Sequence, residues 1–285
     1  MPILREYPGS ASFPHHPVQH ESGTPILDVS NLSVNYETGS VLTDISFQLK
    51  TSERVAVVGP NGAGKTTLFK VIAGILPGYR GSVKVFGQGP GRHICIAYVP
   101  QRNQVDWDFP VSVADVVMMG RVGKLGLIRW PTHKDWNLVH EALSEVGLEN
   151  LARRKINTLS GGQQQRMFIA RALAQEAELI LMDEPFTGLD LNSQESIFHV
   201  MDDLSKREVT MMISTHDLVQ AGERFTRVML INRRLLGMGT PEEIFTAERL
   251  KAAYGKHLKL VQAGDDFYAL ADTCCDEGKE DYEHH

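Results

Sequence analysis

The chain of 285 residues has three cysteines, two of them adjacent at Cys274 and Cys275, which excludes a disulfide framework and favours a reducing interior. It has no apolar run approaching the roughly 20 residues of a bilayer span. The longest, around 55–59 and 179–182, are far shorter, so the chain is not expected to cross a membrane by itself. An apolar signal core is also missing: the first 24 residues carry Pro, His and Ser and read as a flexible tail. Basic charge is not in excess, since the formal net charge is −6, and from Asp272 onward six acidic residues face only Lys279. The near-neutral remainder lacks the electrostatic footprint of a nucleic-acid binder, so no nucleic-acid partner is expected.

What is present is ordinary globular usage, 42% hydrophobic and 22% charged, without an internal repeat. Residues 26–35 and 41–49 read as early strands, Leu42, Ile45, Phe47 and Leu49 supplying alternate apolar positions in the second. A β-branched run at 54–58 then meets a dense glycine loop and a helical pattern at 66–73. Further buried strands are expected at 93–99, 179–182, 210–214 and 228–232, with helices between several of them, which implies a largely parallel sheet covered on both faces. Residues 112–151 differ: helical stretches, including 135–146, are interrupted by glycines and Pro131, as in a helical insertion. Residues 258–262 and 267–270 flank Ala-Gly-Asp-Asp and suggest a terminal hairpin.

The strongest motif is Gly59-Pro60-Asn61-Gly62-Ala63-Gly64-Lys65-Thr66-Thr67, a match to G-x-x-x-x-G-K-[ST] between a predicted strand and a predicted helix. Backbone N–H groups can surround a phosphate only where side chains are small, the helix start adds a positive dipole end, and Lys65 supplies a charge for the β- and γ-phosphates. A nucleoside triphosphate is therefore the expected ligand, with the Thr66 hydroxyl offered to Mg²⁺. The second motif is an apolar strand, Leu179 to Met182, that ends in Asp183 and Glu184. Carboxylates at such a position suit a Mg²⁺ shell (Asp183) and the polarisation of an attacking water (Glu184). The third is Leu159-Ser160-Gly161-Gly162-Gln163 before a helical pattern, a second anion-binding helix start for which one chain alone offers no use.

These elements, with Gln101, Gly188-Leu189-Asp190 and His216, occur in an order that resembles the ATP-binding subunit of an ABC transporter over about residues 25–260. The resemblance implies an α/β P-loop NTPase fold with a RecA-like mixed sheet, an N-terminal antiparallel β subdomain and an inserted helical subdomain. The domain would span 25–262 with the insertion at about 102–164, between the tail 1–24 and a C-terminal hairpin strand and acidic tail at 263–285. It implies ATP and Mg²⁺ as cofactors and a head-to-tail homodimer in which the 160–163 turn of one subunit closes on the ATP of the other. In that scheme Tyr36 stacks on adenine, Gln101 links Mg²⁺ to the insertion, His216 contacts the γ-phosphate and Asp190 lies at the dimer seam. Thr187-Gly188 stands where Ser-Ala is commoner, a conservative departure.

A single cassette without membrane spans implies a separate permease and work at the cytoplasmic face of the inner membrane. The stretch 98–110, with 116–121 and Arg129-Trp130-Pro131 after it, is similar to the manganese, zinc and iron importer branch. That similarity implies an extracytoplasmic metal-binding protein as a further partner, and manganese as the foremost cargo. The alternative is a soluble ABC ATPase acting on nucleic acid or ribosomes, which usually carries two cassettes or a much longer insertion. His15, His16, His20, His284 and His285, with Cys274 and Cys275, are a weaker candidate for a metal site of the tails, because no C-x₂-C or H-x₃-H spacing is present.

Overall fold

Apolar runs too continuous for a half-exposed sheet demand cover on both faces, and the computed structural model supplies it. It describes residues 25–37, 39–89, 95–125, 129–255, 258–263 and 266–271. Six strands lie in the order β5-β6-β7-β3-β8-β9: β3 (Arg54–Val58), β5 (Ile96–Val99), β6 (Leu179–Asp183), β7 (Thr210–Thr215), β8 (Arg227–Asn232) and β9 (Arg234–Gly239). All neighbours are parallel except β8 and β9, which form an antiparallel edge. Side chains alternate between two cores. Ala56, Val58, Ile180, Met182, Met211, Ile213, Val228 and Leu230 face one, and Val55, Val57, Leu179, Leu181, Met212, Met229 and Ile231 face the other.

The second core is closed by α1 (Lys65–Ile72) and by an antiparallel sheet, order β2-β1-β4, made of β1 (Leu27–Tyr36), β2 (Gly39–Leu49) and β4 (Arg80–Val85). The early strands thus fall where the alternation predicts them, while β4 and β9 had no sequence expectation. The first core is closed by the inserted helices α2 (Val113–Met119), α4 (His133–Glu145) and α5 (Gly161–Ala174), and by α6 (Leu191–Lys206), α7 (Leu218–Arg224), α8 (Pro241–Ile244) and α9 (Ala247–Tyr254). A short α3 (Val122–Leu125) follows α2. Reciprocal capping boxes start three of the inserted helices: Ser112 with Asp115, Thr132 with Asp135, and Ser160 with Gln163.

The insertion is tied together by an ion cluster built around the buried Arg121 and Asp135. Arg121 Nε donates to Asp135 Oδ1 at 3.2 Å, and its Nη1 donates to the Ala174 carbonyl at 2.9 Å and to Glu176 Oε2 at 2.6 Å. Lys124 also bonds Glu176. The ends of α2, α4 and α5 are joined at this point. The expected terminal hairpin is present as β10 (Leu258–Ala263) and β11 (Asp266–Ala271), in register from Leu258–Ala271 to Ala263–Asp266. The N-terminal tail and the His- and Cys-bearing ends lie outside the described residues.

Candidate active site

The glycine loop joins the end of β3 to α1, at the C-terminal edge of the parallel strands. Gly64, the residue before the helix, has φ 97°, and a Cβ there would fall 2.4 Å from Leu42 Cδ2 and 3.0 Å from the Val41 carbonyl oxygen. Only glycine allows β2 to press against the loop. The backbone of Arg233 secures the same junction, donating to the Ala63 carbonyl at 2.9 Å and accepting from Thr43 N–H at 2.7 Å. Lys65 folds back over the loop: its Nζ donates to the carbonyls of Gly59 at 2.7 Å and Pro60 at 3.1 Å. Burial lowers the Lys65 pKa, against the opposing pull of Glu184 and Asp183. The ammonium is held in a cramped, dehydrated position with carboxylates as its counter-charges. Thr66 and Thr67 are half-buried in the first turn of α1.

The predicted carboxylates leave β6 beside this loop. Asp183 is buried, accepting from Ser214 Oγ at 2.6 Å and from Tyr98 Oη at 3.3 Å. Glu184 turns out of the strand with φ 48° and becomes the point on which the other candidates converge. Gln101 Nε2 donates to its Oε2 at 3.2 Å, Thr187 Oγ1 does so at 3.1 Å, and Lys65 Nζ approaches Oε1 at 4.0 Å. His216 Nδ1 stands 3.8 Å from Oε2, an ion-pair approach rather than a full hydrogen bond. The facing His216 is the main influence holding Glu184 below the usual carboxylate range, with Lys65 and Thr187 adding to it against burial. The same contact with Glu184 raises His216 above an ordinary imidazole. An ionised, half-buried carboxylate ringed by donors can accept a proton from, or align, a water beside a phosphate.

Three predicted elements stand apart from this cluster. Among the described residues, no hydrogen bond or ion pair joins the 160–163 turn to the 59–67 loop. Ser160, exposed, accepts from Gln163 N–H at 3.3 Å, and the Gln163 side chain returns a bond to Ser160 N–H at 3.0 Å. Gly161 and Gly162 instead rest on the start of α6 and the segment before it: a Cβ on Gly161 would fall 2.8 Å from Leu189 Cδ2, and one on Gly162 2.7 Å from Ser193 Cβ. Asp190 caps α6, accepting from Ser193 N–H at 2.9 Å. Tyr36 is exposed at the end of β1.

Sequence reasoning missed several partners. Arg102, next to Gln101, donates from Nε to Gln164 Oε1 at 2.7 Å, and its carbonyl accepts from Trp107 Nε1 at 3.0 Å. Trp107 then meets Phe168 of α5 edge-on, with 5.8 Å between ring centres. The glutamine segment is thereby anchored to the helix that begins at the 160–163 turn. Only the adjacency of Arg102 to Gln101 hinted at it.

The oxygen donors expected to hold Mg²⁺, namely the Thr66 hydroxyl, the Gln101 amide and the Asp183 carboxylate, are the hard ligands that ion takes. Within the loop a Cβ on Gly62 would meet nothing within 4 Å, so space lies open beside it, and the buried Lys65 cation stands at its end. The residues present therefore fit a magnesium-nucleotide.

The ABC transporter family profile matches residues 42–187. The manganese transport system ATP-binding protein MntB of Bacillus subtilis is 40% identical, over 83% of this chain and 95% of its own. This chain belongs to the ABC transporter family. The zinc transport system ATP-binding protein TroB of Treponema pallidum is 44% identical, over 80% of this chain and 86% of its own. A structure described as an inward-facing metal-chelate type ABC transporter superposes with a TM-score of 0.73 at 31% identity, covering 86% of this chain and 96% of that one. As a cassette of this family the chain binds ATP and couples its hydrolysis to transport, working with a membrane permease. No helix among the described residues is long and apolar enough to cross a membrane.

Proposed function

We propose that this cassette powers the import of a divalent metal ion, with manganese the foremost candidate and zinc or iron next. The observation that carries the catalytic part is the convergence of Lys65, Gln101, Thr187 and His216 on the single carboxylate of Glu184. The metal is supported by the similarity to MntB and TroB, named for manganese and zinc transport, over at least four-fifths of this chain.

In this reading Lys65 and the 59–64 amides bind the β- and γ-phosphates, and Tyr36 stacks on adenine. Glu184 orients the attacking water and takes up its proton, while His216 faces the γ-phosphate. Thr66, Asp183 and Gln101 hold Mg²⁺, which when bound offsets phosphate charge. Two copies meet head to tail, so that Ser160 to Gln163 of one seals the nucleotide of the other, with Asp190 at the seam. The exposed Ser160 cap supports that arrangement, since among the described residues no hydrogen bond or ion pair joins it to the phosphate loop of its own chain.

The permease meets the insertion, where Phe109, Met119, Val122, Trp130 and Trp136 are exposed apolar side chains. An extracytoplasmic metal-binding protein delivers the ion, and the cassette sits at the cytoplasmic face of the inner membrane. Uptake of labelled manganese, zinc and iron in cells lacking the chain tests the reading. The parent chain is expected to restore uptake of one metal, and Glu184→Gln of none. Parental uptake of all three metals in the deleted cells overturns it.

A further inference from the structure

Asp183 and Ser214 are direct partners in the parallel register of β6 and β7, so their side chains emerge side by side from the sheet. Ser214 is fully buried. Its hydroxyl is used in both directions at once, donating to Asp183 Oδ1 at 2.6 Å and accepting from the backbone N–H of Glu184 at 2.9 Å. The second bond comes where the ladder ends. Glu184 has left the strand for the left-handed region, φ 48°, in which a residue with a Cβ is held only by its surroundings. Tyr98, from β5 on the other side, donates to the remaining Asp183 oxygen at 3.3 Å. Both oxygens of one carboxylate and the backbone of the next are therefore fixed from neighbouring strands.

We propose that Ser214 is a positioning residue for ATP hydrolysis, whose single hydroxyl sets the orientation of the Asp183 carboxylate and the backbone turn of Glu184 together. It touches neither nucleotide nor water; it acts through the two carboxylates. Loss of the hydroxyl leaves the Asp183 carboxylate held only by the longer Tyr98 bond and releases the Glu184 N–H, so the metal-side and water-side groups lose their common reference. Polar satisfaction alone would make Ser214 a matter of stability. The shared atom makes it a matter of turnover.

The inference rests on the roles proposed above for Asp183 and Glu184, and Glu184→Gln run in parallel separates the two. Ser214→Ala and Ser214→Thr are compared in the full chain by ATPase kinetics and by binding of the fluorescent analogue TNP-ATP with and without Mg²⁺. In Ser214→Ala, kcat is expected to fall about 10- to 100-fold, the range for loss of a side chain that orients ligands. Metal-free TNP-ATP binding is expected to stay at the parent value while the gain on adding Mg²⁺ shrinks. Ser214→Thr, which keeps the hydroxyl, is expected to recover most of both. Parental kcat and Mg²⁺ response in Ser214→Ala, beside a stalled Glu184→Gln, overturns the Ser214 inference and leaves the roles of the carboxylates standing. Equal loss of TNP-ATP binding with and without Mg²⁺, unrepaired by threonine, also overturns it by making the residue structural. Full hydrolysis in Glu184→Gln overturns the underlying roles themselves.

Discussion

The Glu184 carboxylate faces the His216 imidazole at 3.8 Å, Oε2 to Nδ1, and each shifts the other's titration in the direction that keeps both charged. His216, raised, contributes stability that is complete below the ordinary imidazole value and disappears as pH climbs through its folded value. Glu184, lowered, contributes above the ordinary carboxyl value and loses its share as pH falls through the folded one. The pair is therefore at full strength between about pH 4.5 and 6.5. A ¹H–¹³C titration of the imidazole is expected to show His216 above its usual midpoint, and Glu184→Gln to bring it back down. An unmoved midpoint in that variant would falsify the coupling.

Gly64→Ala is expected to damage both folding and binding. The left-handed backbone and the 2.4 Å approach to Leu42 Cδ2 force β2 away from the phosphate loop, costing about 2 kcal/mol or more. Gly62→Ala is the control. It shares a positive φ, 75°, but its Cβ meets nothing within 4 Å, so about 1 kcal/mol is expected. Thermal unfolding with and without ATP measures both, and equal midpoints for the two variants would remove the packing argument.

Ser160→Arg changes an exposed helix cap. Its stability cost should be that of the lost cap, about 1 kcal/mol. ATP binding to the isolated subunit is expected to persist, while hydrolysis falls about 100-fold, as when a donor to transition-state charge is removed. Normal turnover in this variant would count against a site shared between two copies.

The Arg121 cluster predicts an acid limb in the stability curve. Burial works to raise Asp135 and Glu176, but the Thr132 hydroxyl and N–H with Arg121 outweigh it at Asp135, and Lys124 with Arg121 at Glu176. Both carboxylates end below their ordinary range, so their contribution is present at neutral pH and lost on acidification through the folded values. Arg121→Leu leaves Asp135 buried without its counter-charge, held only by Thr132, a loss of about 3 kcal/mol or more at neutral pH. Urea unfolding across pH 3 to 7, roughly the carboxyl range and above, should show a flatter acid limb in the variant.

The candidate site was legible in the sequence wherever an unusual residue type stands at a fixed spacing. Glycines in a phosphate loop, two carboxylates after an apolar strand and Ser-Gly-Gly-Gln before a helix stand out from any background. β4 did not, because Arg80-Gly81-Ser82-Val83-Lys84-Val85 buries only Val83 and Val85 fully, and two apolar positions make too short an alternation to register. β9 carries glycines at 237 and 239 that argue against a strand, yet an edge position beside β8 tolerates them. Ser214 was visible as a residue before His216, but its role depends on lying level with Asp183 across a sheet, and pairing between strands 31 residues apart leaves no local trace.

Arg102 gripping Gln164, and Gly161 and Gly162 seated without room for a methyl against Leu189 and Ser193, make the glutamine segment, α5 and the start of α6 a train of parts with little backlash. Such a train has no preferred driver. Free-energy linkage requires that whatever nucleotide binding does to the insertion, a load placed on the insertion does in equal measure to nucleotide affinity. A partner leaning on the helical face thus acquires a say in when the fuel is held and when it is let go.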